Sequence, residues 1–132
     1  MQIIAQLENS LHQHSVTVQT NNTVQELAIP GKLTGVGSVV NGGEMLCVAL
    51  ATCFCNDIYR EAQKKNIQVT KVWVEASAEF SAEGKPGFNF TYRAKVEGDA
   101  SEEELLELIK HTDQVAEIQN TLRAGVPVTL QT

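Results

Sequence analysis

Cations are scarce in this chain: Lys and Arg number 10 against 16 Asp and Glu, a formal net charge of −6. Phosphate recognition needs a basic face, so this balance argues against nucleic acid and anionic membranes as partners. Long hydrophobic runs are also missing. The longest, Met45 to Ala51, is far too short to span a bilayer, and no charged-then-apolar segment opens the chain. There are only three cysteines, all between Cys47 and Cys55. They offer no disulfide framework, and a reducing, cytoplasmic setting is expected. No four-ligand zinc spacing is present, so no metal and no other cofactor is expected. No repeat or linker divides the 132 residues, which are expected to form a single domain over 1–132.

What the chain does have is periodicity. Ser15 to Gln19 alternates polar and apolar, and Thr23 to Ile29 is again strand-like. Asn21-Asn22 between them predicts a hairpin, because Asn tolerates the left-handed backbone of a tight turn. Pro30 to Gly43 is glycine-rich and reads as a loop. A helix is predicted from Glu44 to Asn66. Its first half, Glu44 to Ala51, is apolar on every side, so it must be surrounded: a central core helix. One small sheet cannot cover such a helix all round. A second copy can, which predicts a homodimer with an interface above about 2,000 Å². In the second half, Glu61 and Lys65 are spaced as a surface ion pair.

Two strands with period-two patterning follow. Val72, Val74, Ala76, Ala78 and Phe80 share one face, with Trp73, Glu75, Ser77 and Glu79 opposite. Phe88, Phe90, Tyr92, Ala94 and Val96 repeat the pattern, and Arg93 and Lys95 can face the neighbour's acids. The Ser81 to Gly87 connector makes these a second hairpin. Ser101 and Glu104 form a capping box ahead of a helix, a short helical segment ends near Gly125, and Val126 to Leu130 reads as an edge strand. The class is α+β, with antiparallel sheets around the cysteine helix.

The thiols have two readings: small hydrophobes, or a nucleophile in a shielded pocket. Cys53 lies nine residues past Glu44, roughly 13 Å along the helix at 1.5 Å per residue. A helix N-terminus cannot lower its pKa from there. Asp57, one turn on, would raise the thiol pKa, whereas Arg60, two turns on, can lean back toward it. Cys47 and Cys55 read as core fillers, and Cys53 and Cys55, about 200° apart around the helix, cannot pair. His12 and His14 would share one strand face but lack a third metal ligand. His111 reads as a solvated cation, and Trp73, on a polar face, as cover for a dimer contact, a helix contact or a ligand site.

Several segments together resemble the OsmC/Ohr family of thiol-dependent peroxidases: Glu44-Met45-Leu46, Ala49-Leu50-Ala51-Thr52-Cys53, Lys65 to Val69 leading into Val72-Trp73-Val74, and Gln119-Asn120-Thr121-Leu122-Arg123 with Gly125-Val126. The resemblance implies an OsmC-like fold and an intertwined homodimer with the cysteine helices at its centre. It also implies an interface site in which one cysteine attacks the peroxide and a second resolves the sulfenic acid, helped by an Arg and a Glu. The attacking cysteine maps onto Cys53. The resolving position falls on Ala116, the helper Glu falls at Gly43, beside Glu44, and no N-terminal Arg exists. Lys32 and Arg60 are the candidate cations, and Glu44 the candidate acid. The implied function is a one-cysteine peroxidase reducing organic hydroperoxides with an external thiol reductant. The alternative is a non-catalytic relative that binds a small apolar ligand between subunits.

Overall fold

The structure, a computed structural model, describes residues 1–132 and divides into two compact units, Met1–Met45 and Leu46–Thr132. In the first unit, β1 (Ile3–Ser10), β2 (Gln13–Thr20) and β3 (Thr23–Leu27) form an antiparallel meander. Both connections are two-residue turns, between the pairs Ser10↔Gln13 and Thr20↔Thr23. His12 (φ 68°) and Asn21 (φ 51°) take the left-handed backbone that these turns require. The expected hairpin at Asn21-Asn22 is present, and β1 adds a strand the sequence reading did not contain. The glycine-rich segment is a loop, clamped where the Asn9 Oδ1 accepts from the Gly37 N–H at 2.8 Å.

Helix α1 runs Gly42–Lys64 and opens on a reciprocal cap. The Glu44 N–H donates to Asn41 Oδ1 at 2.7 Å, and the Asn41 N–H donates to Glu44 Oε1 at 2.9 Å. It closes on Asn66, left-handed at φ 55°, with Ile67 N–H bonded to Ala62 C=O and Asn66 N–H to Gln63 C=O. That is a Schellman stop with Asn in the usual glycine place.

In the second unit, β4 (Val69–Glu79) and β5 (Phe88–Gly98) pair antiparallel. Their alternation puts Val72, Val74, Tyr92, Ala94 and Val96 against a core of Phe54, Ile58, Ala62 and Leu108. Phe54 and Tyr92 meet with ring centroids 5.1 Å apart. The opposite face carries Glu75↔Arg93 and Trp73↔Lys95 as cross-strand pairs, the first an ion pair at 2.9 Å. Helix α2 (Glu102–Val115) begins on the expected Ser101–Glu104 capping box. Helix α3 (Glu117–Ala124) ends on left-handed Gly125. Ala116 (φ −74°, ψ 113°), fully buried, breaks the two helices apart and starts α3 at Glu117.

Two expectations need correction. Val126 to Leu130 forms no strand: it has no ladder partner, and Val128 is 97% exposed. Glu61 is no surface acid but only 3% exposed, and its partners are other than Lys65. Within the first half of α1 only Leu50 is buried, and Val48 is exposed. No helix is long and apolar enough to cross a membrane.

Candidate functional site

Local sequence sets one row of this site and a tertiary contact supplies the other. On α1, the spacing of Cys53, Asp57, Arg60 and Glu61 stacks them along one side of the helix over two turns. Opposite them, the break at Ala116 turns the first residue of α3 toward Cys53. Helix α3 is pinned there by Gln119, whose Nε2 donates to the Leu50 carbonyl at 3.0 Å. Arg123 adds a second anchor through Asp113, whose carboxylate also accepts the Tyr92 hydroxyl. Burial, and then that bond, raise the Tyr92 phenol. Although burial opposes it, Asp113 lies below its ordinary range because Tyr92 and Arg123 both donate to it.

The Cys53 Sγ, half-buried and free, lies 3.6 Å from Asp57 Oδ2 and 3.8 Å from Glu117 Oε1. Arg60 takes the outer oxygens: its Nη1 is 3.1 Å from Asp57 Oδ1 and 3.0 Å from Glu117 Oε2. Its Nε donates to Glu61 Oε2 at 2.8 Å. Glu61 is further bound by Lys64 at 3.0 Å and by the His111 Nε2 at 2.8 Å.

These contacts set the titration of each group. Burial, then the neighbouring carboxylates of Asp57 and Glu117, push the Cys53 thiol above its ordinary value, against one favourable bond from the Ile118 backbone. Burial and the facing Glu117 carboxyl raise Asp57 to about 6, while the same contact, Arg60 and the local backbone hold Glu117 down at about 2. Asp57 is thus the carboxyl of the two that takes up a proton first as pH falls. Donation from Arg60, His111 and Lys64 lowers Glu61 to about 2. Arg60 is held firmly protonated by its carboxylates.

Of the expected site residues, the structure brings Cys53 and Arg60 together, with Asp57 between them. Glu44 is committed to capping its own helix. Lys32 lies in the first unit, its backbone bonded to Gly37. Sequence reasoning missed the role of Glu117, although its neighbour Ala116 is where the resemblance puts the resolving position. It also misplaced His111, which binds Glu61 rather than solvent alone. His12 sits in the β1–β2 turn, off the strand face that carries His14, and the Asn9 amide bonds His14 Nδ1 at 2.9 Å, so no two-histidine face exists. Cys47 and Cys55 are half-buried rather than core residues. Trp73 lies beneath Lys95 Nζ (5.1 Å) and Arg93 Cζ (5.5 Å), and with Cys47, Val48 and Ala51 it borders a cavity of about 320 Å³. Cys53, Asp57 and Glu117 place one donor atom each within 4.8 Å of the others.

The family model described as OsmC-like protein matches residues 35–131. Among solved structures, the chain is similar to an OsmC-like protein from Mycoplasma pneumoniae, at 20% identity and TM-score 0.60 over 91% of this chain and 87% of that one. It is similar to an organic hydroperoxide resistance protein OsmC from Legionella pneumophila, at 20% identity and TM-score 0.59 over 98% and 95%. It also resembles the organic hydroperoxide resistance protein OhrB of Bacillus subtilis, at 18% identity and TM-score 0.53, over 98% and 95%. No curated protein sequence matches. With the family pattern running from the loop before α1 through α3 and beyond, the chain belongs to the OsmC-like family.

Proposed function

We propose that this chain reduces organic hydroperoxides with Cys53 as its single redox thiol. The observation that carries the reading is a free, half-buried sulfur set against a carboxyl pair bridged by a guanidinium. The pair takes the thiol proton. The thiolate sulfur then attacks a peroxide oxygen, the S–O bond forms as the O–O bond breaks, and the leaving alkoxide takes up a proton as alcohol. Arg60 is the cation beside the developing charge. Cys53 sulfenic acid, with Ala116 at the family's resolving position, condenses with an external thiol and releases water. A second thiol then frees Cys53 as an external disulfide. Reduced protein treated with stoichiometric cumene hydroperoxide and dimedone should carry one adduct, on Cys53. An unlabelled Cys53 beside reactive control thiols rejects the reading.

Resemblance to hydroperoxide resistance proteins and the open side of α1 support a homodimer, with each cysteine helix covered by its mate and 1–132 acting as one domain. Exposed apolar side chains on α1 (Val48, Tyr59) and after α3 (Val126, Val128, Leu130) offer the surface. Sedimentation should give a dimer at micromolar concentration, and a folded monomer there rejects the assembly. Three free thiols suit a cytoplasmic setting.

The raised Cys53 thiol favours a second reading. Three carboxylates surround one guanidinium, which suits a dormant sulfur and a site that binds a small apolar ligand beside α1 and Trp73. Alkylation of Cys53 with a pH midpoint at or above that of free cysteine, and no dimedone adduct, selects it.

A further inference from the structure

We propose that Cys53, Asp57 and Glu117 form a binding site for one zinc-class divalent cation. The two sulfur–oxygen edges fit such an ion as they stand, and the Asp57 and Glu117 oxygens close on it by a side-chain shift to the oxygen–oxygen edge of about 3.3 Å that it needs. For a tetrahedral ion with zinc–sulfur of about 2.3 Å and zinc–oxygen of about 2.0 Å, the sulfur–oxygen edge is about 3.5 Å. The two edges here are 3.6 Å to Asp57 Oδ2 and 3.8 Å to Glu117 Oε1, and all three donor atoms lie within 4.8 Å of one another.

The carboxylate oxygens divide by role. Arg60 holds Asp57 Oδ1 and Glu117 Oε2, the outer pair, and leaves Oδ2 and Oε1 turned to the sulfur. The guanidinium therefore orients both ligands from outside without occupying the point where they converge, as outer-shell partners do in metal centres. Charge points the same way. A thiolate and two carboxylates carry three negative charges against one guanidinium that Glu61 also shares, so the cluster keeps an excess of negative charge that a divalent ion offsets. One thiolate with two carboxylates suits zinc rather than calcium or magnesium, which want oxygen alone. Three protein ligands leave a fourth position for water. Binding displaces the thiol proton and occupies the sulfur, so the cation and a hydroperoxide compete for Cys53.

The test uses the reduced, metal-stripped full chain titrated with cobalt(II). A thiolate-to-cobalt charge-transfer band in the near ultraviolet should saturate at one ion per chain and be competed away by zinc. Cys53→Ser should lose the band, Glu117→Gln should weaken binding at least tenfold, and Cys47→Ser and Cys55→Ser should keep both. The Glu117 side chain is 62% exposed, so its replacement leaves the fold in place, as circular dichroism will verify. In the unaltered protein, zinc should also slow alkylation of Cys53, read by peptide mass. Absence of the band, its survival in Cys53→Ser, or unchanged affinity in Glu117→Gln overturns the site. The site does not depend on the peroxidase reading. Cobalt binding without hydroperoxide turnover upholds the site and rejects that reading, and turnover without cobalt binding does the reverse.

Discussion

Replacing Asp57 by Asn should wake the Cys53 thiol. Asp57 Oδ2 lies 3.6 Å from the sulfur, and Asp57 titrates at about 6, so at pH 8 it is a full negative charge beside any thiolate. Two unit charges near 4 Å repel by about 1 kcal/mol in bulk water and by about 4 kcal/mol at an effective dielectric of about 20. The half-exposed sulfur belongs near the lower figure, and 1 kcal/mol is about a fivefold change in thiolate fraction at 25 °C. Losing the charge also frees one contact of Arg60, which then favours the thiolate further. Asn keeps the shape, so packing against the core is retained. With a chelator present to strip any cation, iodoacetamide should alkylate Cys53 in Asp57→Asn at least about fivefold faster than in the unaltered protein at pH 8. Glu117→Gln should act in the same direction but less, because that side chain is 62% exposed. Equal or slower alkylation in Asp57→Asn, with unchanged circular dichroism, would show that burial alone sets this thiol.

Two further outcomes follow from the packing and the buried acid. Phe54 is fully buried against Tyr92, so Phe54→Ala should cost about 3–5 kcal/mol in urea unfolding, and a loss under about 1 kcal/mol contradicts the core assignment. Glu61 titrates in the fold at about 2, below its ordinary 4.5. Its stabilisation is therefore present above about pH 4.5 and is lost as pH falls toward about 2. Glu61→Gln should flatten the decline of stability across that window, and an unchanged decline removes Glu61 as its source.

What the sequence made legible was local. The Asn21-Asn22 turn, the period-two faces of β4 and β5, the Ser101–Glu104 cap and the Gly125 stop each depend on neighbours a few residues away, and each is present. Strand β1 escaped because Ile3-Ile4-Ala5 breaks the alternation that marks a strand, and most of its residues are exposed. Val126 to Leu130 has strand chemistry but needs a partner to pair with, which no local pattern supplies. The site divides in the same way. Cys53, Asp57 and Arg60 share a helix side and could be read together from spacing. Glu117 is 64 residues from Cys53, and only the buried break at Ala116 and the Gln119 anchor deliver it. Glu61 looked like a surface acid paired to Lys65, whereas packing buries it and gives it Arg60, Lys64 and His111 instead.

The most direct measurement is cumene hydroperoxide turnover with an external thiol reductant, compared among the unaltered chain, Cys53→Ser, Cys47→Ser and Cys55→Ser. The account predicts that Cys53→Ser alone abolishes turnover. Turnover undiminished in Cys53→Ser, or lost equally in Cys47→Ser or Cys55→Ser with their folds intact, contradicts it.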